Sequence, residues 1–131
     1  MLLRKTRKIH IGKLVIGGDS PIAIQSMAAT QTQDLTATAR QIEVLEKANA
    51  DIIRIAVDNE KDVEALKILR EKFPESTWSV DLQENYKLAP LVAPWVDKIR
   101  YNPGHLFHLE KDKSIREKVQ FIVEAARENE C

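Results

Sequence analysis

Two arginines, an aspartate and an asparagine stand where apolar strand patterns are broken. Arg54 interrupts Ile52-Ile53-Arg54-Ile55, and Arg100 follows Ile99 in Asp97-Lys98-Ile99-Arg100-Tyr101. Successive side chains of a strand point to opposite faces, so Ile53 and Ile55 share one face and Arg54 takes the other. If the isoleucines pack against helices, an unpaired guanidinium on the far side of the sheet costs several kcal/mol of desolvation and needs an anion. Asp81 lies near the end of Trp78-Ser79-Val80-Asp81-Leu82, and Asn102 opens the loop Asn102-Pro103-Gly104. The arginine fork matches phosphate oxygens in pairs, which makes a phosphorylated or diphosphate small molecule the natural ligand class. The opposing reading is a buried ion pair of Asp81 with one arginine and no ligand; a second arginine shifts the weight toward a site.

These residues must be positioned by strands that alternate with helices. Lys8–Gly18 reads as a hairpin around Gly12-Lys13. Ile22–Met27 is a short apolar run that fits a buried strand, and Asp34 offers an N-cap for a helix with Leu35, Thr38, Ile42, Leu45 and Ala48 at helical spacing. Asp51–Val57 is the second strand of the sheet, followed by a helix that Asn59 caps, that buries Val63, Leu66, Leu69 and Phe73, and that Pro74 stops. Trp78–Leu82 leads into a short helix near Asn85–Val92, broken by Pro90 and Pro94. Asp97–Tyr101 is the fourth strand; Ser114 with Glu117 forms a capping-box pattern for a last helix with Val119, Ile122, Val123 and Ala126 inward. The repeated alternation predicts an α/β fold with a parallel sheet. Four such units make half of an eight-stranded barrel, which needs about 250 residues to close. An open nucleotide-binding sheet is the alternative, but no G-x-G-x-x-G follows the first strand. The expected fold is a partial TIM (β/α)8 barrel, residues 1–131 forming its N-terminal part, with site residues at the C-terminal strand ends.

Composition narrows the partners. Of the 131 residues 44% are hydrophobic and 31% charged, as in one globular core. Lys+Arg and Asp+Glu both number 20, and no basic stretch is interleaved with aromatics, so nucleic acid is not expected. The absence of a long apolar run and of a leader-like N-terminus points to the cytoplasm. Cys131 is the single cysteine, with no partner for a disulfide or a metal cage. His105 and His108, three apart, lack a third metal ligand nearby and read as surface-loop residues. His10 reads as a strand residue, Trp78 and Trp95 as packing residues, and Glu110–Lys113 as a solvated loop.

A series of motifs carries a family resemblance: Ile16-Gly17-Gly18 with Pro21-Ile22, Gln25-Ser26-Met27, Asp34 with Ala37-Thr38 and Gln41-Ile42, Asp51-Ile52-Ile53-Arg54 with Ala56-Val57, and Asp97 to Gly104. In this order and spacing, from about Arg4 to Gly104, the chain resembles the N-terminal region of the 4-hydroxy-3-methylbut-2-enyl diphosphate synthase family. The resemblance implies reductive opening of 2-C-methyl-D-erythritol 2,4-cyclodiphosphate in the non-mevalonate isoprenoid pathway. It implies a [4Fe–4S] cluster in a separate C-terminal domain, with ligands outside this chain. Flavodoxin or ferredoxin is the implied electron donor, and a homodimer the implied assembly. It further implies that Arg54 and Arg100 hold the diphosphate and that Asp81 and Asn102 line the same pocket.

The chain departs from the family where a histidine and a phenylalanine usually follow the third strand. Gln83 and Glu84 stand there, which removes that histidine from any proton handling. Ala28-Ala29 likewise replaces the usual Thr-Asn. As given, the chain is expected neither to bind the cluster nor to turn over substrate. The competing expectations are another TIM-barrel enzyme of the pterin-binding type, and a noncatalytic half-barrel that self-associates through its open edges.

Overall fold

The computed structural model describes residues 4–131. Strands β1 (Ile9–Ile11) and β2 (Leu14–Ile16) pair antiparallel as a hairpin, with Ile9 opposite Ile16. Gly12 turns it at φ +54°, and a Cβ there would lie 2.5 Å from Asp97 Oδ1, so only glycine lets the hairpin tip approach this closely. Asp97 leads into the last strand, and Lys13 of the same tip pairs with Glu75 at 3.3 Å ahead of the strand before it. The hairpin therefore sits at the N-terminal ends of the strands.

Four parallel strands follow in sequence order: β3 (Gln25–Met27), β4 (Ile52–Ala56), β5 (Trp78–Asp81) and β6 (Lys98–Arg100). The connections are α1 (Leu35–Lys47), α2 (Glu60–Lys72), a short helical stretch, Tyr86–Trp95, whose only α-helical turn is α3 (Ala89–Val92), and finally α4 (Ile115–Glu128) after β6. The helices start where side chains satisfy the free amides of the first turn. Asp34 Oδ1 accepts from Ala37 N at 2.9 Å; Asn59 with Asp62, and Ser114 with Glu117, form reciprocal capping boxes. Pro90 and Pro94 confine the third connection to single turns.

Side-chain parity divides the sheet. Ile53, Ile55, Trp78, Val80 and Leu82 join Ile42 of α1 and Val63, Leu66 and Leu69 of α2 in one buried cluster. On the other face the register aligns Met27 with Arg54, Arg54 with Ser79, and Asp81 with Arg100. There Lys98 Nζ, on β6, donates to Gln25 Oε1 on β3 at 3.1 Å. In a flat sheet these outer strands stand about 14 Å apart, three spacings of about 4.8 Å. The sheet therefore curls, and its polar face is the concave one: a partial (β/α) barrel.

Two expectations need correcting. The first sheet strand is not buried: Ile22 is 93% and Ile24 59% exposed, and regular pairing is confined to Gln25–Met27. β3 is an edge strand with a neighbour on one side only, so its apolar side chains have nothing to pack against beyond that edge. In α4 Ile122 is buried and Val119 packs partly buried against the core as expected, but Val123 is 54% exposed and Lys118 and Ala125 complete the buried stripe. Spacings of four and three set this face, and it includes a lysine that a hydrophobic count skips.

Candidate anion-binding site

The C-terminal ends of β5 and β6, with the middle of β4, bring together three of the four residues singled out in the sequence. Asp81, the last residue of β5, is 2% exposed and accepts from both arginines. Arg100 Nη1 lies 2.9 and 3.1 Å from its two carboxylate oxygens, and Arg54 Nη2 pairs with Oδ2. The amide of Gln83 donates to Oδ1 at 3.2 Å. Burial alone would raise the Asp81 carboxyl, but the hydrogen bonds from Arg100, Arg54 and the Gln83 amide outweigh it and hold the group below the ordinary carboxylate range.

Counted by itself, the triad sets one carboxylate against two guanidiniums, a net charge of about +1, with the carboxylates of Asp58, Asp62 and Glu84 around it. Arg54 Nε is buried without a partner, as is Ser79 Oγ on the same face. An unsatisfied guanidinium donor beside a second arginine suits an anion with several oxygens. The frame is stiff: Ala28 N bonds Arg54 O, Val57 N bonds Asp81 O and Leu82 N bonds Arg100 O, each at 3.0 Å, so the ladder runs past the site.

Asn102 is two residues beyond Arg100 with extended backbone, on the same side by parity, but its side chain turns into its own loop. Its Oδ1 accepts from Gly104 N at 3.0 Å, and it makes no hydrogen bond to Asp81 or either arginine. It shapes the rim and does not join the ion triad.

The rim also holds residues that the sequence reading left aside. Burial first, then the neighbouring carboxylates of Asp62, Asp81 and Glu84, push the Asp58 carboxyl above its ordinary range. His105 Nδ1 and His108 Nε2 lie 4.0 and 3.7 Å from Glu84 Oε1, so the two histidines and the glutamate that replaces the family phenylalanine share one exposed corner. Gln83 adopts φ +50°, the left-handed region, which aims its amide at Asp81. Trp78 is fully buried, with the Arg70 guanidinium 4.1 Å from its ring centroid, a packing role as expected. Glu110 differs from the expected solvated loop: it accepts from the Tyr86 hydroxyl and pairs with Lys87 and Lys113.

A curved parallel sheet whose helices cover one face, and whose other face gathers two guanidiniums and a carboxylate toward the C-terminal strand ends, defines a partial barrel of the (β/α) class. The chain belongs to the GcpE TIM-barrel domain family, which matches residues 6–131. It is 50% identical over 126 residues to a protein of Rhodopirellula baltica named 4-hydroxy-3-methylbut-2-en-1-yl diphosphate synthase (flavodoxin); the match covers 96% of this chain and 33% of that one. Proteins of the same name from Helicobacter pylori strain 26695 and Wolinella succinogenes are 42% and 44% identical, over 95% and 85% of this chain. The chain thus spans about a third of the length of the curated relatives it matches, 33% of the first and 32% of the second.

Proposed function

We propose that this chain is the substrate-binding portion of a reductive diphosphate synthase, the part of the barrel that grips 2-C-methyl-D-erythritol 2,4-cyclodiphosphate before it is opened to 4-hydroxy-3-methylbut-2-enyl diphosphate. The observation that carries the reading is the unbalanced triad, two arginines converging on one buried carboxylate. Asp81 holds both guanidiniums at the strand ends, and their remaining donors take the phosphate oxygens. The relatives' shared name supports the same substrate class and favours it over a pterin-type barrel. In this reading residues 1–131 form the N-terminal half-barrel, flavodoxin or ferredoxin supplies electrons to a full-length cytoplasmic homodimer, and the half-barrel alone is inactive. No helix is long and apolar enough to cross a membrane among the described residues.

The [4Fe–4S] cluster that the resemblance implies has no fitting ligand set among the described residues. No three His, Cys, Asp or Glu side chains gather there to hold a metal. Cys131, the single cysteine, has its thiol pushed up to about 11 by burial and then by Asp97, which disfavours the thiolate that iron requires. The work of these residues is binding and orientation.

Calorimetric titration of the full-length protein with the cyclodiphosphate tests the proposal. Binding by the wild type that weakens in both Arg54→Ala and Arg100→Ala supports it; equal affinity in all three would sink it. A second reading, self-association of a half-barrel, is favoured by the apolar group Ile22, Ile24, Met27 and Val44 exposed along the β3 edge. Sedimentation of the isolated 131-residue chain decides it: a monomer at all concentrations removes that reading.

A further inference from the structure

We propose that Lys118 is a positioning residue for the anion site, clamping from within α4 the loop that joins β6 to α4 and carries Asn102. The inference rests on the arginine reading above and extends it to a residue outside the triad. Lys118 is 1% exposed, and its Nζ donates to the carbonyl oxygen of Leu106 at 2.7 Å and to that of Leu109. The Tyr86 ring centroid lies 5.8 Å from the same Nζ. No carboxylate pairs with this ammonium among the described residues.

A buried cation without a counter-ion is expensive, and a methionine of similar length would fill the same space without desolvating a charge. The charge is explained by what it holds. Pro103, Gly104, His105, Phe107 and His108 are all exposed, so the loop has little core of its own; Leu106, 1% exposed, is its single buried anchor up to His108. From that anchor the hydrogen bonds run back to the site. Leu106 N donates to Pro103 O at 3.3 Å, and His105 N donates to Asn102 O at 3.0 Å. Fixing the Leu106 and Leu109 carbonyls therefore fixes the turn that begins two residues after Arg100, and with it the rim of the anion site. A pre-organised rim binds more tightly because less of the loop is ordered at the moment of binding.

The test uses the full-length protein with inorganic pyrophosphate as probe, measuring affinity by calorimetry and loop protection by hydrogen exchange. Lys118→Met is expected to weaken pyrophosphate about tenfold and to speed exchange within residues 103–109 only, while Lys118→Arg, which keeps charge and donors, recovers most of the affinity. Wild-type affinity in a folded Lys118→Met protein overturns the inference. So does weakening accompanied by faster exchange throughout α4 and the sheet, because Lys118 would then hold the fold and not the loop. If Lys118→Met does not fold, Lys118→Gln, which retains a neutral donor for one carbonyl, takes the same measurements with the same criteria. Failure of the wild type itself to bind pyrophosphate overturns the arginine reading, which separates that failure from this one.

Discussion

The two faces of the four-stranded sheet are built from the same strands and obey opposite rules. The convex face, with Ile53, Ile55, Trp78 and Val80, is closed by α1 and α2 and buried to 2% exposure or less. The concave face, with Arg54, Ser79, Asp81, Lys98 and Arg100, is polar and charged. Alternation along one strand makes both: the odd residues Ile53 and Ile55 of β4 and the even residues Trp78 and Val80 of β5 build the core, while Arg54, Ser79 and Asp81 between them face the site; Ile52, on the side of Arg54 at the start of β4, is buried all the same. The lesson is that a parallel strand reading as an apolar run with one charge in it should be parsed by parity before the charge is dismissed as a core ion pair.

The largest break in this comparison comes from the convex side. Trp78→Ala removes a fully buried ring and should cost about 3–5 kcal/mol of unfolding free energy by denaturant titration. Arg54→Ala should weaken ligand binding by about 1.5–3 kcal/mol, since it removes charge-assisted bonds, and should lower the unfolding midpoint by less than Trp78→Ala, because Asp81 keeps Arg100 and the Gln83 amide. A midpoint that falls as far as in Trp78→Ala would erase the distinction between the faces. At the smaller end, Ser114→Ala removes the α4 cap and should cost about 1 kcal/mol with no change in ligand affinity.

The pH dependence sharpens the same contrast. The folded-state pKa of Asp81 is depressed, so its contribution to stability is fully present above the unfolded carboxyl value of about 3.9 and is lost as pH falls through the lower folded-state value. Asp81→Asn should flatten the acid limb of the stability–pH curve over that window. A limb with the wild-type slope in the variant would show that the two guanidiniums do not hold this carboxylate.

Much of the fold is legible in the sequence because its signals are local. The caps at Asp34, Asn59 and Ser114 and the stop at Pro74 depend on a few neighbouring residues, and all appear where expected. Arg54, Arg100 and Asp81 were legible for the same reason, since each breaks a short apolar pattern. What escaped the reading depends on long-range packing. Ile22 and Ile24 look buried until β3 is seen to lie at an edge. Lys118 has no signal in the local pattern, because the loop carbonyls of Leu106 and Leu109 that hold it are brought by the fold. Asn102 has the right parity for the triad, yet a local turn with Gly104 takes its side chain, as asparagine before Pro-Gly readily does. The approach of Lys98 to Gln25 follows from curvature, which no local pattern encodes.

The most direct test of the account is calorimetric titration of the full-length protein with the cyclodiphosphate, comparing wild type with Arg100→Ala. The account predicts saturable binding by the wild type, weakened about tenfold or more in a variant that remains folded at the temperature of the titration. Equal affinity in the two proteins would contradict it, because the Arg100 guanidinium on the concave face would then hold no phosphate.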